Sequence, residues 1–511
     1  LIAEEHVGGV CLFRKNITSP AQLALLAAAL RREARDADAP PPWLTIDHEG
    51  GVVTRFPPPR DPNTNQPAAT PYVTPLPSAM ALAAAGDPGL AREAGRVAGT
   101  ELRAMGVHLN FAPVLDVNSN PANPVIGTRA FGESPAAVVT FGLAYAEGLQ
   151  AAGVGATAKH FPGHGDVTVD SHLGLPLVDH PASRLHAVEL APFLAAARAG
   201  VAAVMTAHIV FPALDPERRP ATMSAPILNG ILRERWAYQG LVISDSLIMG
   251  AIADHYGPGD AAVAAVRAGC DLLLAFGSDA RQDDVLDRLA VTIERGDIPG
   301  AQVAASLARA DGASERWGVG AAPARDLSAA VGTEEHLGIA RRIAEASVTL
   351  VRDRASVIPL AGRLGVVTVE TDGQEPPTPS LAPVLRHHHA EVIEARAGTS
   401  FDGSGLDDAD RLVAVTCARG ALPAAQVAVV QGLHRRYGDR LVVVATGDPY
   451  DLLQFPEVPA YLLTYGPDEP SLDAAARVLL GLLPPRGQLP VALPGLYAAG
   501  HSAPVTESTT S

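Results

Sequence analysis

The sequence predicts an α/β protein in two parts: a (β/α)8 TIM-type barrel over residues 1–317 and, after a linker at 318–332, a smaller α/β/α sandwich domain over 333–497. Three observations predict it. First, 511 residues exceed what one compact core usually holds. Second, short apolar runs alternate with helical patterns through the first part. The runs are apolar throughout, as strands are when helices cover both faces of a parallel sheet. Third, polar residues gather where those runs end, at Asp47, Asp116, Lys159, His160, His208 and Asp245. In a barrel all such ends lie on one face, around one pocket. An open doubly wound sheet is the alternative, but it would collect its polar residues at a single switch point.

Taken in order, Val7 to Phe13 reads as a strand. Ser19 then caps a helix with Pro20 at its first position, where a missing N–H costs nothing. Trp43 to Ile46 is a strand ending at Asp47-His48-Glu49-Gly50-Gly51. Asp87-Pro88 opens a helix to about Met105, His108 to Leu115 is a strand, and Ser134-Pro135 opens a helix to Ala152. The strand Val154 to Ala158 leads into Lys159-His160-Phe161-Pro162-Gly163-His164-Gly165-Asp166 and on to Asp170-Ser171-His172. Leu185 to Ala199 reads as one helix, Val201 to Ala207 as a strand ending at His208, and Leu241 to Ser244 as a strand ending at Asp245. Asp271 to Phe276 is the last strand, with helices over Asp279–Gly296 and Ala301–Trp317. In the second part a helix from Glu334 to Ala346 precedes strands at Gly365–Val369, Arg411–Thr416, Arg440–Ala445 and Pro459–Leu463. The polar tail at 498–511 is expected to be disordered.

Composition excludes several function classes. The net charge of −16, with no concentration of cations, predicts no nucleic-acid partner. No apolar run reaches the ~20 residues that span a bilayer, so no membrane span is expected. Cys11, Cys270 and Cys417 are too far apart for a disulfide framework or a zinc motif and read as small buried residues. His387-His388-His389 cannot easily converge on one ion and reads as a solvated helix end. The second part lacks a Gly-rich phosphate loop. The chain opens in what reads as the middle of a helix, so its natural start is expected to be missing. A cytoplasmic location is expected, with secretion as the alternative.

The stretch from Lys159 to His172 holds three His, two Asp and one of only two lysines in the chain. A compact ammonium kept in so Arg-biased a sequence suggests a task a planar guanidinium would not serve. Asp245, at a strand end, can be a nucleophile, a metal ligand or the N-cap of the next helix. Asp170 and His172, two apart in an extended loop, can share a side. A carboxylate there would hold the imidazole's tautomer and raise its pKa, making it a proton donor near neutral pH; a merely structural hydrogen bond is the other reading. Lys159, Arg55 and Arg129 can hold sugar hydroxyls or a carboxylate, or can be ion-paired with Asp47, Glu49 or Asp116. Two site chemistries follow. One is a glycosidase with a carboxylate nucleophile and a proton donor. The other is a metal-dependent hydrolase using His160, His164, His172, His208 and Asp245, weakened by the ammonium of Lys159 beside the ion.

Ile46 to Gly51, Asn110 to Val117, Lys159 to Asp166, Asp170-Ser171-His172 and Ser244-Asp245-Ser246 stand in the order found in glycoside hydrolase family 3. The sequence resembles that family's β-N-acetylglucosaminidase branch through the whole first part. The likeness continues through Ala346 to Val351 and Gly487 to Val491 in the second. The resemblance implies Asp245 as nucleophile and His172 as general acid/base with Asp170 as its partner. Asp47, Arg55, Arg129, Lys159 and His160 are then residues that hold the N-acetylglucosamine ring, with His208 lining the same pocket. It implies a carbohydrate substrate, no metal and no cofactor. His48, Val52, Thr128 and Ala130 depart from the family pattern, which bears on substrate preference. Hydrolysis of terminal β-linked N-acetylglucosamine is expected, with peptidoglycan recycling as a setting. A neutral imidazole would not repel an anionic acceptor, so phosphorolysis is the alternative; a sugar-binding protein without catalysis is a further class.

Overall fold

The computed structural model describes the chain except residues 58–72, 172, 371–377, 390, 399–400, 402, 404 and 505–511. The first part is a parallel sheet of seven strands in sequence order: β1 Gly9–Leu12, β2 Trp43–Ile46, β3 Leu109–Asn110, β4 Gly155–Phe161, β5 Ala203–Thr206, β6 Leu241–Ser246 and β7 Leu272–Leu274. Sequential order without reversal is the order of a barrel and not of a doubly wound sheet. The sheet's two ends approach each other. Phe13, just past β1, meets Phe276, just past β7, edge to face with ring centres 5.0 Å apart. Trp43, Leu109, Phe111, Met205, Leu241 and Ile243 pack in one cluster with Trp317.

Two barrel elements differ from expectation. The third strand pairs regularly only over Leu109–Asn110, because Pro113 has no N–H to carry the ladder on. Pairing with β4 resumes where Val114 bridges Lys159. The helix expected over Leu185–Ala199 is two, Ala182–Ala187 and Ala191–Arg198, with Pro192 in the first turn of the second. That proline cannot donate to a carbonyl of the preceding turn. Two helices start on the capping side chains expected of them, while Ser134 makes no side-chain cap bond to the helix that follows it. Ser19 Oγ accepts from Gln22 N at 3.1 Å, and Asp87 Oδ1 accepts from Gly89 N at 2.7 Å.

Helices Pro88–Ala104 and Pro135–Ala151 cross at backbone contact. A Cβ on Gly95 would fall 2.0 Å from the Tyr145 carbonyl oxygen, and one on Gly148 would fall 1.9 Å from that of Arg92. Helix packing this close tolerates no side chain at either point.

The second part is a six-stranded sheet in the order β10-β9-β11-β12-β13-β8. Its strands are β8 Thr349–Asp353, β9 Leu364–Val369, β10 Val392–Ala397, β11 Arg411–Thr416, β12 Leu441–Ala445 and β13 Ala460–Leu463. All pairs are parallel except β13 with β8. The two edge strands, β8 and β10, escaped the sequence reading. Both carry charges, as edge strands commonly do.

The helix Ala79–Ala84, also unforeseen, joins the two parts. Leu82 packs in the barrel core while Met80, Ala81 and Ala84 pack in the second. Ser78 caps this helix and donates to the Tyr465 carbonyl at 2.8 Å. Residues 318–332 are pinned rather than loose: Ala324 N donates to Ala104 O at 2.8 Å and Gly332 N to Glu101 Oε1 at 3.0 Å.

The tail expected to be disordered from residue 498 is held as far as 504, because its backbone pairs with the second sheet. Gly500 N donates to Leu489 O at 2.7 Å and Ala503 N to Leu350 O at 2.7 Å. Residues 505–511 lie outside the described residues. His388 meets Asp473 at 2.8 Å while His389 donates to the Gly362 carbonyl at 2.7 Å, so these two of the three histidines part, and the His387 ring lies edge to face on that of His388. Among the described residues no helix is long and apolar enough to cross a membrane.

Replacing Gly148 by Ala is expected to lower stability by about 1–3 kcal/mol, since the added methyl must force two helices apart. Urea unfolding of the variant measures this, and a midpoint equal to that of the parent would refute the backbone-contact account.

Candidate active site

The chemistry-bearing side chains stand at the C-terminal ends of the barrel strands. Lys159, in β4, is 2% exposed. Its ammonium lies 2.8 Å from Asp47 Oδ1 and 2.6 Å from Glu49 Oε1. Asp47 and Glu49 follow β2, and each has a second cation. Arg55 Nη2 donates to Asp47 Oδ2 at 2.6 Å. Arg129 forks onto Glu49, Nε to Oε2 at 2.9 Å and Nη2 to Oε1 at 2.8 Å. The ion-pair reading of these three cations is therefore the one realised in the free protein. Paired geometry of this kind offers a hydroxyl-bearing ligand both fixed acceptors and fixed donors.

Burial opposes ionisation of Asp47 and Glu49. Lys159 and Arg55 outweigh it at Asp47, and Arg129 and Lys159 at Glu49, so both pKa values are lowered. Burial likewise opposes the charge on Lys159, but Asp47 and Glu49 raise its pKa, and the ammonium stays protonated. Three cations share two carboxylates, which leaves the cluster positive.

A second hub is Asp116. Its Oδ2 lies 2.7 Å from His160 Nδ1, and its Oδ1 accepts the backbone N–H of His160 at 3.1 Å and of His164 at 2.7 Å. One carboxylate thereby shapes the turn Lys159–His164. His164 Nε2 is 2.9 Å from Ser171 Oγ, which ties this turn to the loop bearing Asp170. Burial, with the charge of His160, lowers the His164 pKa to about 4, so this ring is neutral at pH 7. The Ser171 carbonyl accepts from Ala251 N at 3.2 Å. Asp170 is half-buried, and its carbonyl accepts from Leu173 N at 2.9 Å and Gly174 N at 3.1 Å. His172 lies outside the described residues.

Asp245 stands near the end of β6. It does not cap the next helix, Gly250–Ala253, whose N-cap position is Met249. Oδ1 of Asp245 accepts from Ser246 N at 2.6 Å. Burial pushes its pKa up, but His208, His160, the Ser246 amide and Lys159 together bring it below the ordinary value. Of the Lys159 cluster, Lys159 itself contributes to this lowering, after His208, His160 and the Ser246 amide.

His208, which the resemblance places in the same pocket, stands beside Asp245 at the end of β6. It is 1% exposed, with Nδ1 2.8 Å from Thr222 Oγ1 and Nε2 donating to the Ser246 carbonyl at 2.9 Å. It therefore holds the backbone beside Asp245, with Thr222 and the end of β6 partnering its two ring nitrogens.

The metal-hydrolase reading asks His160, His164, His172, His208 and Asp245 to gather one ion. Of the imidazoles among the described residues, His160, His164 and His208 each have a protein partner at hydrogen-bond distance instead. Elsewhere, Asp166, His180 and Glu189 bring ligand atoms within 4.8 Å of one another. Arg184 already occupies that cluster, 3.5 Å from Asp166 and 3.3 Å from Glu189.

Sequence reasoning gave Glu49 only as a possible ion-pair partner, gave Asp116 as a strand-end residue or ion-pair partner, and named no residue of the second domain at the site. Asp448 Oδ1 accepts the Thr128 backbone N–H at 2.8 Å, and Arg419 Nη2 donates to Val52 O at 3.2 Å. The available signal was their position just past β12 and β11, where parallel strands present ligand-facing loops.

The glycosyl hydrolase family 3 N-terminal domain matches residues 1–311. Beta-hexosaminidase A of Pseudoalteromonas piscicida is 31% identical, the alignment covering 96% of this chain and 90% of that protein. A beta-hexosaminidase of Thiobacillus denitrificans is 40% identical over 57% of this chain and 77% of its own length. Among solved structures, a glycoside hydrolase family 3 beta-N-acetylglucosaminidase from a Paenibacillus species (strain FPU-7) superposes with a TM-score of 0.88 at 37% identity. It covers 96% of this chain and 94% of that one.

Asp47, Glu49 and Asp116 have pKa values below their ordinary 3.8, 4.5 and 3.8. A carboxyl depressed on folding contributes stability that is complete above its unfolded pKa and is lost as pH falls towards its folded one. The thermal midpoint is therefore expected to drop below pH 4.5, and to drop less steeply in Glu49→Gln. Equal acid slopes for the two proteins would count against the stabilising role of Glu49.

Proposed function

The chain belongs to glycosyl hydrolase family 3, and from that premise we propose that it is a retaining, exo-acting β-N-acetylglucosaminidase that works through a covalent glycosyl-Asp245 intermediate. One observation carries the reading: a carboxylate at a barrel strand end, held anionic by His208, His160, Lys159 and the Ser246 amide. A nucleophilic carboxylate must be ionised when the sugar arrives, and an anion there stabilises the oxocarbenium-like transition state.

In the first step an Asp245 oxygen bonds the anomeric carbon as the glycosidic C–O bond breaks. His172, partnered by Asp170, gives its proton to the departing oxygen. In the second step His172 takes a proton from water, whose oxygen bonds the anomeric carbon as the bond to Asp245 breaks. Two inversions return the β configuration. Asp47 and Glu49 supply acceptors for ring hydroxyls, Arg55, Arg129 and Lys159 supply donors and hold those carboxylates in place, and His160, fixed by Asp116, supplies a further donor. Because Lys159 is fixed from two sides, it loses little freedom when the sugar binds.

Three arms test this with a nitrophenyl β-N-acetylglucosaminide. Asp245→Ala is expected to lower kcat by about 10³-fold or more, and a fluorinated N-acetylglucosaminide should label the Asp245 peptide. Unchanged turnover in Asp245→Ala, or a label on another peptide, would remove the assigned nucleophile. Activity should survive EDTA; its loss and restoration by a divalent ion would revive the metal reading. Turnover should not depend on phosphate, and release of N-acetylglucosamine 1-phosphate would show that phosphate replaces water as acceptor.

A further inference from the structure

The second domain grips the two barrel loops that carry the pocket's arginines. The contacts come from loops just past the adjacent parallel strands β11 and β12. Asp448 is buried, and its two oxygens serve two domains. Oδ1 accepts the N–H of Thr128 in the barrel at 2.8 Å, and Oδ2 accepts that of Gly420 in its own domain at 2.6 Å. Asp448 N donates in turn to Ala418 O at 2.9 Å, so 418–420 and 448 form one rigid unit. The approach to the barrel is tight. Gly127 has a φ of +45°, and a Cβ there would fall 2.1 Å from Asp448 Oδ1.

Thr128 precedes Arg129, the residue that forks onto Glu49. From the same unit, Arg419 Nη2 donates to Val52 O at 3.2 Å. Val52 lies in the loop that leads from Glu49 to Arg55, the partner of Asp47. The two contacts therefore reach both outer cations of the Asp47–Glu49–Lys159 cluster. Of the three cations, Arg129 and Arg55 are the two not carried on a barrel strand, so they are the ones a neighbouring domain can place.

Resting on the activity proposed above, we infer that Asp448 is a positioning residue for sugar binding: it sets Arg129 through the Thr128 amide, and Arg419 sets the 50–55 loop beside it. The second domain is then part of the substrate site without contributing a catalytic residue.

Asp448→Asn tests this, because an amide can accept from one of the two N–H groups but presents its own N–H to the other. The expected result on the aryl glycoside is a rise in KM of about tenfold with kcat retained within about threefold, the pattern of lost uniform binding. Amide hydrogen exchange over residues 123–130 should accelerate by a similar factor. Arg419→Ala, a change at an exposed side chain, should raise KM by a smaller factor and accelerate exchange over 50–55. It carries the test if Asp448→Asn does not fold. A kcat/KM within twofold of the parent with unchanged exchange over both loops would overturn the inference. So would a fall of kcat and the unfolding midpoint together with KM unchanged, the mark of a purely structural contact. If the parent protein does not turn over the glycoside, the activity proposal fails, and the exchange measurements still decide whether Asp448 and Arg419 place these loops.

Discussion

The site depends on one buried ammonium shared by two carboxylates. Lys159 is almost wholly removed from water, and only the oxygens of Asp47 and Glu49 make its charge tolerable there. Leaving a buried ion unpaired costs several kcal/mol, so none of the three can be altered without loading that cost onto the others. A lysine suits the place because a compact charge can bind two carboxylates from between them, whereas a guanidinium presents a flat fork. The arginines take the outer positions, where a fork fits: Arg129 bidentate on Glu49, Arg55 on the far oxygen of Asp47. Lys159 also adds, after His208, His160 and the Ser246 amide, to the lowering of the Asp245 pKa.

The rest of the barrel can be understood as support for this cluster. Asp116 spends both oxygens on the turn that follows Lys159, fixing His160 and His164 together. His208 holds the carbonyl of Ser246 and so the end of β6. The helices behind are packed at backbone contact through glycine, which leaves the strands little freedom to shift. Each device limits the motion of a group whose value lies in its position, as electrostatic stabilisation of a transition state requires.

Much of this was legible in the chain. Apolar runs with a polar residue at each end named the barrel and its functional face, because a parallel strand buried on both sides leaves its exit as the natural place for a charged residue. The dense string from Lys159 to Asp166 and the aspartate ending β6 stood out for the same reason. Less legible were Pro113, whose missing N–H interrupts a strand that reads as continuous, and the edge strands β8 and β10, whose charges mask their pattern. His208 was legible as a strand-end residue, but its partners Thr222 and Ser246 were not, because neither is its neighbour in the sequence.

By itself, the sequence determined which residues stand at strand ends, since apolar periodicity and the Pro and Gly breaks act over a few positions. Tertiary structure alone decided which charges meet. Lys159 and Asp47 are 112 residues apart, and Thr128 and Asp448 are 320 apart. A charge pair has no periodicity to read along the chain; it exists only once two strands lie side by side, or two domains close on one loop.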